Sequence, residues 1–154
     1  MKKVIIIGIA VMIAMGTVCL GQTQVKNKAN TVSQNNPLIE HLTNKSFKEK
    51  VFNYDVNKVW KYQGKLPCLI DFYADWCGPC RMLSPFVEQV ASEYKGKIVV
   101  YKINVDQEQQ LASAFGISSI PALLFCPMKD KPQMNVGYIS KENLQNLIKT
   151  TLLK

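Results

Sequence analysis

The chain has 154 residues, 47% of them hydrophobic and 19% charged, with 8 glycines and 7 prolines. That balance is the ordinary one for a globular protein and excludes collagen-like, coiled-coil and wholly disordered chains. Formal net charge is +8, with +7 carried by residues 1–65 and +1 from Leu66 onward. The lysines are scattered, without arginine clusters or interleaved aromatics, which describes a solvated basic surface and argues against nucleic acid as a partner.

Met1-Lys2-Lys3 precedes an uncharged apolar run from Val4 to Val18, followed by Cys19-Leu20-Gly21-Gln22. These are the basic, apolar and cleavage regions of a secretory signal, so residues 1–21 are expected to direct export, with cleavage after Gly21 and a soluble, periplasmic or otherwise exported product. Membrane attachment would follow only from an uncleaved signal or from lipidation of Cys19, and Val18 is not the small residue that lipoprotein signals place before their cysteine. Residues 22–37 have almost no apolar content and no periodicity, which describes a flexible tether. A single domain is expected over 38–154.

Leu38 to Leu42 reads as a short first strand. Ser46 and Glu49 have capping-box spacing and predict a helix start ahead of Val51 and Phe52. Asn53 to Lys65 shows no clear pattern, and its Tyr54, Trp60 and Tyr62 are expected to join a satellite core. Leu66 to Ala74 is a near-continuous apolar run, as in a strand buried on both faces, and it contains one acid, Asp71. From Cys77 to Tyr94, Met82, Leu83, Phe86, Val87, Val90, Ala91 and Tyr94 recur at helical intervals, with Pro85 expected to kink the helix. Ile98 to Val105 predicts another central strand, and Asp106 a cap for a helix over Gln107 to Phe115 closed by Gly116. Ala122 to Cys126 and Met134 to Tyr138 predict a hairpin around Pro127 to Pro132, and Ser140 to Leu153 a final amphipathic helix. This alternation predicts an α/β layer fold with a mixed sheet.

Chemistry concentrates at Trp76-Cys77-Gly78-Pro79-Cys80, where the buried strand ends and a helix begins. Unpaired N–H groups and the positive end of the helix dipole stabilise a thiolate at Cys77, so its pKa is expected below the free value of about 8.5. Three-residue spacing places Cys80 one turn on, near enough to bond to Cys77. Two other readings carry less weight. A zinc half-site would need further ligands, and His41, Cys68 and Cys126 are not at ligand spacing. A permanent disulfide would close only a tiny loop and stabilise little. No metal or cofactor is therefore expected.

The run from Asp71-Phe-Tyr-Ala-Asp-Trp-Cys-Gly-Pro-Cys through Ser84-Pro85, Lys102-Ile-Asn-Val-Asp106, Ile120-Pro121 and Val136-Gly137 closely resembles the thioredoxin family. The resemblance implies a three-layer α/β/α sandwich with a central mixed β-sheet, and a reaction in which Cys77 attacks a substrate disulfide and Cys80 resolves the mixed disulfide. It implies that Asp71 exchanges the Cys80 proton, with a pKa raised by burial, and that Lys102 is its charge partner. Pro121 matches the family's cis proline. Ile120, Pro121, Trp76, Gly78, Pro79 and Gly137 would line the groove for an extended protein substrate. The plainer roles are packing for Trp76, a turn for Gly137, a fold-only acid for Asp71 and a surface lysine for Lys102.

Cys68 and Cys126 are expected to act as small buried apolar residues. Gly-Pro between the cysteines and Ile before Pro121 resemble the reducing members of the family. The function expected is thus an exported, monomeric protein-disulfide reductase, supplied with electrons by a membrane-embedded thiol donor. The alternatives are a disulfide oxidase or isomerase, and a tethered binding or chaperone module whose cysteine pair is incidental.

Overall fold

The structure is a computed structural model and describes residues 36–154. The expected export signal, Cys19 and nearly all of the expected tether lie outside the described residues. Five strands are present in them: β1 (Ile39–His41), β2 (Cys68–Tyr73), β3 (Val99–Asn104), β4 (Ala122–Cys126) and β5 (Gln133–Val136). They form one sheet in the order β1-β3-β2-β4-β5. β1 and β2 run parallel to β3, whereas β4 pairs antiparallel with both β2 and β5. This is the mixed sheet expected from the alternation of strand and helix patterns.

Every residue of β2 and β4 is buried, and only Val99 of β3 is partly exposed. That explains their unbroken apolar runs, because helices cover both faces of the central strands. On one face Leu69, Val100, Leu123 and Phe125 pack with Leu83, Val87 and Val90 of α2 (Gly78–Glu93) and with Leu144 of α4 (Lys141–Leu147). On the other, Ile70, Phe72, Ile103 and Leu124 pack with Phe47 of α1 (Asn44–Lys50) and Leu111 of α3 (Gln109–Ala114). The result is the three-layer α/β/α arrangement.

The element boundaries differ from the sequence reading where local hydrogen bonds decide them. α1 begins at Asn44 rather than at Ser46, because the capping box is Thr43 with Ser46. Thr43 Oγ1 accepts from Ser46 N at 3.2 Å, and Thr43 N donates to Ser46 Oγ at 2.9 Å. α3 starts at Gln109, behind Glu108 and without a side-chain cap. Asp106 does not cap it; its carboxylate accepts from Trp76 instead. The last strand ends at Val136 because Gly137 leaves extended geometry with φ +95°. Ser140 does cap the last helix, accepting from Asn143 N. From Ile148 to Leu152 that helix widens into a π-type turn, with Leu153 N bonding to Ile148 O. Pro85 lies inside α2.

The 53–65 connection packs as a satellite core. Phe52 and Trp60 rings lie 4.7 Å apart, Trp60 stacks on Tyr62 at 6.4 Å, and Tyr54, Trp60 and Tyr62 rest on the α1–α3 side of the sheet. No helix among the described residues is long and apolar enough to cross a membrane.

Candidate functional site

β2 delivers the chain through Ala74 and Asp75 to Trp76 and Cys77, and α2 begins at the next residue. Cys77 is the N-cap: its backbone is extended (φ −76°, ψ 109°), and its sulfur accepts from the Cys80 backbone N–H at 3.2 Å. Pro79 sits in the first turn, where its missing N–H leaves no bond unmade. Cys77 and Cys80 are bonded, with Cα atoms 5.3 Å apart. Both are nearly covered, at 3% and 4% exposure, whereas the adjacent Trp76 is 68% exposed. The pair packs with Tyr73, Ala74, Val105 and Ile120.

The Ile120-Pro121 peptide bond is cis. Pro121 O accepts from Gly137 N at 2.8 Å, which ties the start of β4 to the end of β5. Ile120 thus reaches the cysteine pair by contact, and Gly137 joins it through Pro121. Trp76 is fixed at its rim by a 2.8 Å bond from Nε1 to Asp106 Oδ2. Gly78 leaves open space at the surface, since a Cβ there would approach only the Arg81 guanidinium, at 3.9 Å.

Parallel pairing of β2 and β3 sets Asp71 opposite Lys102. Lys102 Nζ lies 3.7 Å from Asp71 Oδ2, a charge contact longer than a hydrogen bond. Its close partner is Ser84 Oγ at 2.8 Å, and it also sits 4.6 Å from the centre of the Tyr73 ring. Asp71 is 1% exposed, and its Oδ1 has no hydrogen-bond partner among the described residues. Burial pushes the Asp71 carboxyl up from 3.8 to about 6, and Lys102 draws it back down by less. Tyr73, Asp75, Cys80, Arg81, Ser84 and Lys102 border a recess of about 80 Å³. Cys80 and the ammonium that faces Asp71 therefore open onto the same small space.

Trp76, Cys77, Gly78, Pro79, Cys80, Lys102, Ile120, Pro121 and Gly137 lie in or around this constellation, Asp71 is buried beside Lys102 without bordering the recess, and Cys68 and Cys126 lie elsewhere, in β2 and β4. Ser84 and Asp106 stand in the runs quoted above but were given no part in the site. No local signal marks either one, because each acts on a residue distant in sequence. No group of three or more His, Cys, Asp or Glu among the described residues is placed to hold a metal ion.

A bonded cysteine pair at a helix N-terminus, flanked by a cis proline and set on a mixed sheet, defines the class of thiol–disulfide oxidoreductases. The profile of the thioredoxin family matches residues 38–150, and the chain belongs to that family. It is 44% identical over 108 residues to the thioredoxin of Borreliella burgdorferi, covering 70% of this chain and 92% of the relative. It is 40% identical over 111 residues to thioredoxin 1 of a Nostoc species, covering 72% and 94%. With the thioredoxin of Porphyra purpurea the identity is 38% over 110 residues, covering 71% and 94%.

Proposed function

We propose that this protein is an exported protein-disulfide reductase whose working couple is Cys77–Cys80. The observation that carries the reading is the asymmetry of the pair. Cys77 is the N-cap, where helix-end N–H groups stabilise a thiolate, and Cys80 borders the recess shared with Lys102. In the reduced protein the Cys77 thiolate attacks a substrate disulfide; one substrate sulfur leaves and a mixed disulfide forms. Cys80 then loses its proton and attacks the Cys77 sulfur, which re-forms the Cys77–Cys80 bond and frees the reduced substrate.

Asp71 is the group assigned to take the Cys80 proton. A carboxyl near pKa 6 is a competent base at neutral pH. An extended substrate segment would lie against Ile120 and the cis Pro121, with Trp76, Gly78, Pro79 and Gly137 forming the rest of the groove. The Met1–Gly21 signal supports export. A reductant in an oxidising compartment needs a continuing electron supply, which a membrane-embedded thiol donor would provide.

The test is the reduction potential of the Cys77–Cys80 couple in glutathione or dithiothreitol buffers. A value below about −240 mV is expected for a reductase; a value above about −180 mV would make the protein an oxidase or isomerase. Export is tested by cell fractionation and by the amino terminus of the mature protein, expected at Gln22.

A further inference from the structure

The other two described cysteines meet across the sheet. In the β2–β4 register Cys68 stands directly opposite Cys126, near enough for the Cys68 thiol to help hold Cys126 protonated. Directly opposed residues of antiparallel strands have Cα atoms roughly 4.5–5.5 Å apart. That lies inside the roughly 4.4–6.8 Å that a disulfide spans. Both residues are free thiols with no exposed surface.

What covers this side of the sheet includes the 53–65 strap. The Tyr62 hydroxyl donates to Leu66 O at 2.6 Å, and the phenol interacts with the Cys68 thiol. The ring is folded tightly against its own loop: a Cβ on Gly64 would lie 2.2 Å from the Tyr62 oxygen. Yet the middle of the strap is exposed. Val56 and Val59 are each 75% exposed, and the buried Trp60 Nε1 has no hydrogen-bond partner among the described residues. A surface segment with an exposed middle opens at lower free energy than the central strands.

We propose that Cys68 and Cys126 form a second redox site, a buried cross-strand dithiol that a small-molecule disulfide such as glutathione disulfide converts to an intrachain disulfide when the 53–65 strap opens. One cysteine gives its proton to water and attacks glutathione disulfide. The glutathione S–S bond breaks, one glutathione thiolate leaves, and a mixed disulfide remains. The second cysteine, deprotonated in turn, attacks the protein sulfur of that mixed disulfide and expels the second glutathione. Two protein thiols are oxidised and one glutathione disulfide becomes two thiols. With the strap closed, burial holds the Cys126 thiol far above its ordinary pKa, protonated and inert. The new bond would clamp β2 to β4 at the end of the pair away from Phe72 and Ala122, which lead to the Cys77–Cys80 site. It is independent of the reaction assigned to that couple.

The test uses the full chain carrying Cys77→Ser and Cys80→Ser, incubated with glutathione disulfide, then denatured, alkylated, digested with trypsin and mapped by mass spectrometry. The expected product joins the peptide containing Cys68 to the peptide containing Cys126. Adding Gly64→Ala, which displaces Tyr62, should speed that link by about tenfold. The wild-type chain, cleaved by chymotrypsin between Cys68 and Cys77, provides a second measurement in which the Cys77–Cys80 bond reports that the fold and the oxidant are intact. Alkylated or singly glutathionylated Cys68 and Cys126, with no linked peptide in a wild-type sample whose Cys77–Cys80 bond has formed, would overturn the proposal. So would a link that forms no faster with Gly64→Ala, since the strap would then not be the gate.

Discussion

Lys102 faces Asp71 across the β2–β3 register but gives its short hydrogen bond to Ser84: 2.8 Å to the hydroxyl against 3.7 Å to the carboxylate. Ser84 therefore holds the ammonium partly off the acid and leaves burial as the dominant influence on it. Ser84→Ala removes that hold, so Lys102 can close on Asp71 and the Asp71 pKa should fall below about 6. Lys102→Met removes the opposing charge and should raise it. Titration of the Asp71 carboxyl carbon by NMR distinguishes the two directions, and equal shifts in both variants would show that Ser84 does not position Lys102.

Asp71 also sets a pH dependence of stability. Its folded pKa of about 6 stands above 3.8, so the folded state binds the proton more tightly and is stabilised relative to the unfolded chain at low pH. Stability from this group falls as pH rises from about 4 to about 6, and the deficit persists above that. A difference of about 2 units corresponds to at most about 3 kcal/mol. Asp71→Asn should therefore stabilise the protein at pH 7 by up to about 3 kcal/mol and leave it little changed at pH 4. Urea unfolding at the two pH values checks this; a variant less stable at pH 7 would mean that the carboxylate is held by interactions stronger than its burial.

Much of this site was legible in the sequence because its parts are local. Cys77, Gly78, Pro79 and Cys80 are contiguous, and a strand-to-helix junction is a pattern of hydrophobic period and proline placement. Asp71 stood out as the one acid in an apolar run. Strand centres were legible for the same reason, whereas the ends of β1, β2, β3 and β5 moved by one or two residues, the last where Gly137 takes a positive φ. What stayed hidden depends on register. Nothing within the strand Leu66 to Ala74 says that Cys68 will face Cys126, because that pairing is set by how β4 docks antiparallel on β2. Asp106 has the residue type and spacing of a helix cap, and only the fold reveals that Trp76 takes its carboxylate.

The two cysteines should fail differently when replaced. In the assigned reaction Cys77 makes the first bond and Cys80 breaks it, so Cys80→Ser should accumulate a stable mixed disulfide between Cys77 and protein substrates. Cys77→Ser should form none through Cys80, whose backbone lies inside α2 rather than at its N-cap. Non-reducing gels of cell extracts read this directly, and substrate adducts on Cys80 in the Cys77→Ser protein would reverse the assignment.

Gly137 separates a backbone requirement from a packing one. Its φ of +95° is a conformation that L side chains rarely adopt, yet a Cβ there would meet nothing within 4 Å. Gly137→Ala should therefore lose about 1–3 kcal/mol through backbone strain alone. Gly96, at φ +78° and equally uncrowded, should lose a similar amount on the same change. The two differ in what relaxes. Gly137 N holds Pro121 O at 2.8 Å, so relief of strain there shifts the cis-proline segment that borders Cys77 and Cys80. Gly96 lies in the turn between α2 and β3. Gly137→Ala should thus slow reduction of a protein disulfide while leaving the reaction of Cys77–Cys80 with dithiothreitol unchanged, and Gly96→Ala should change neither rate. If both variants slow protein reduction equally, the effect is one of global stability and Gly137 has no part in the groove.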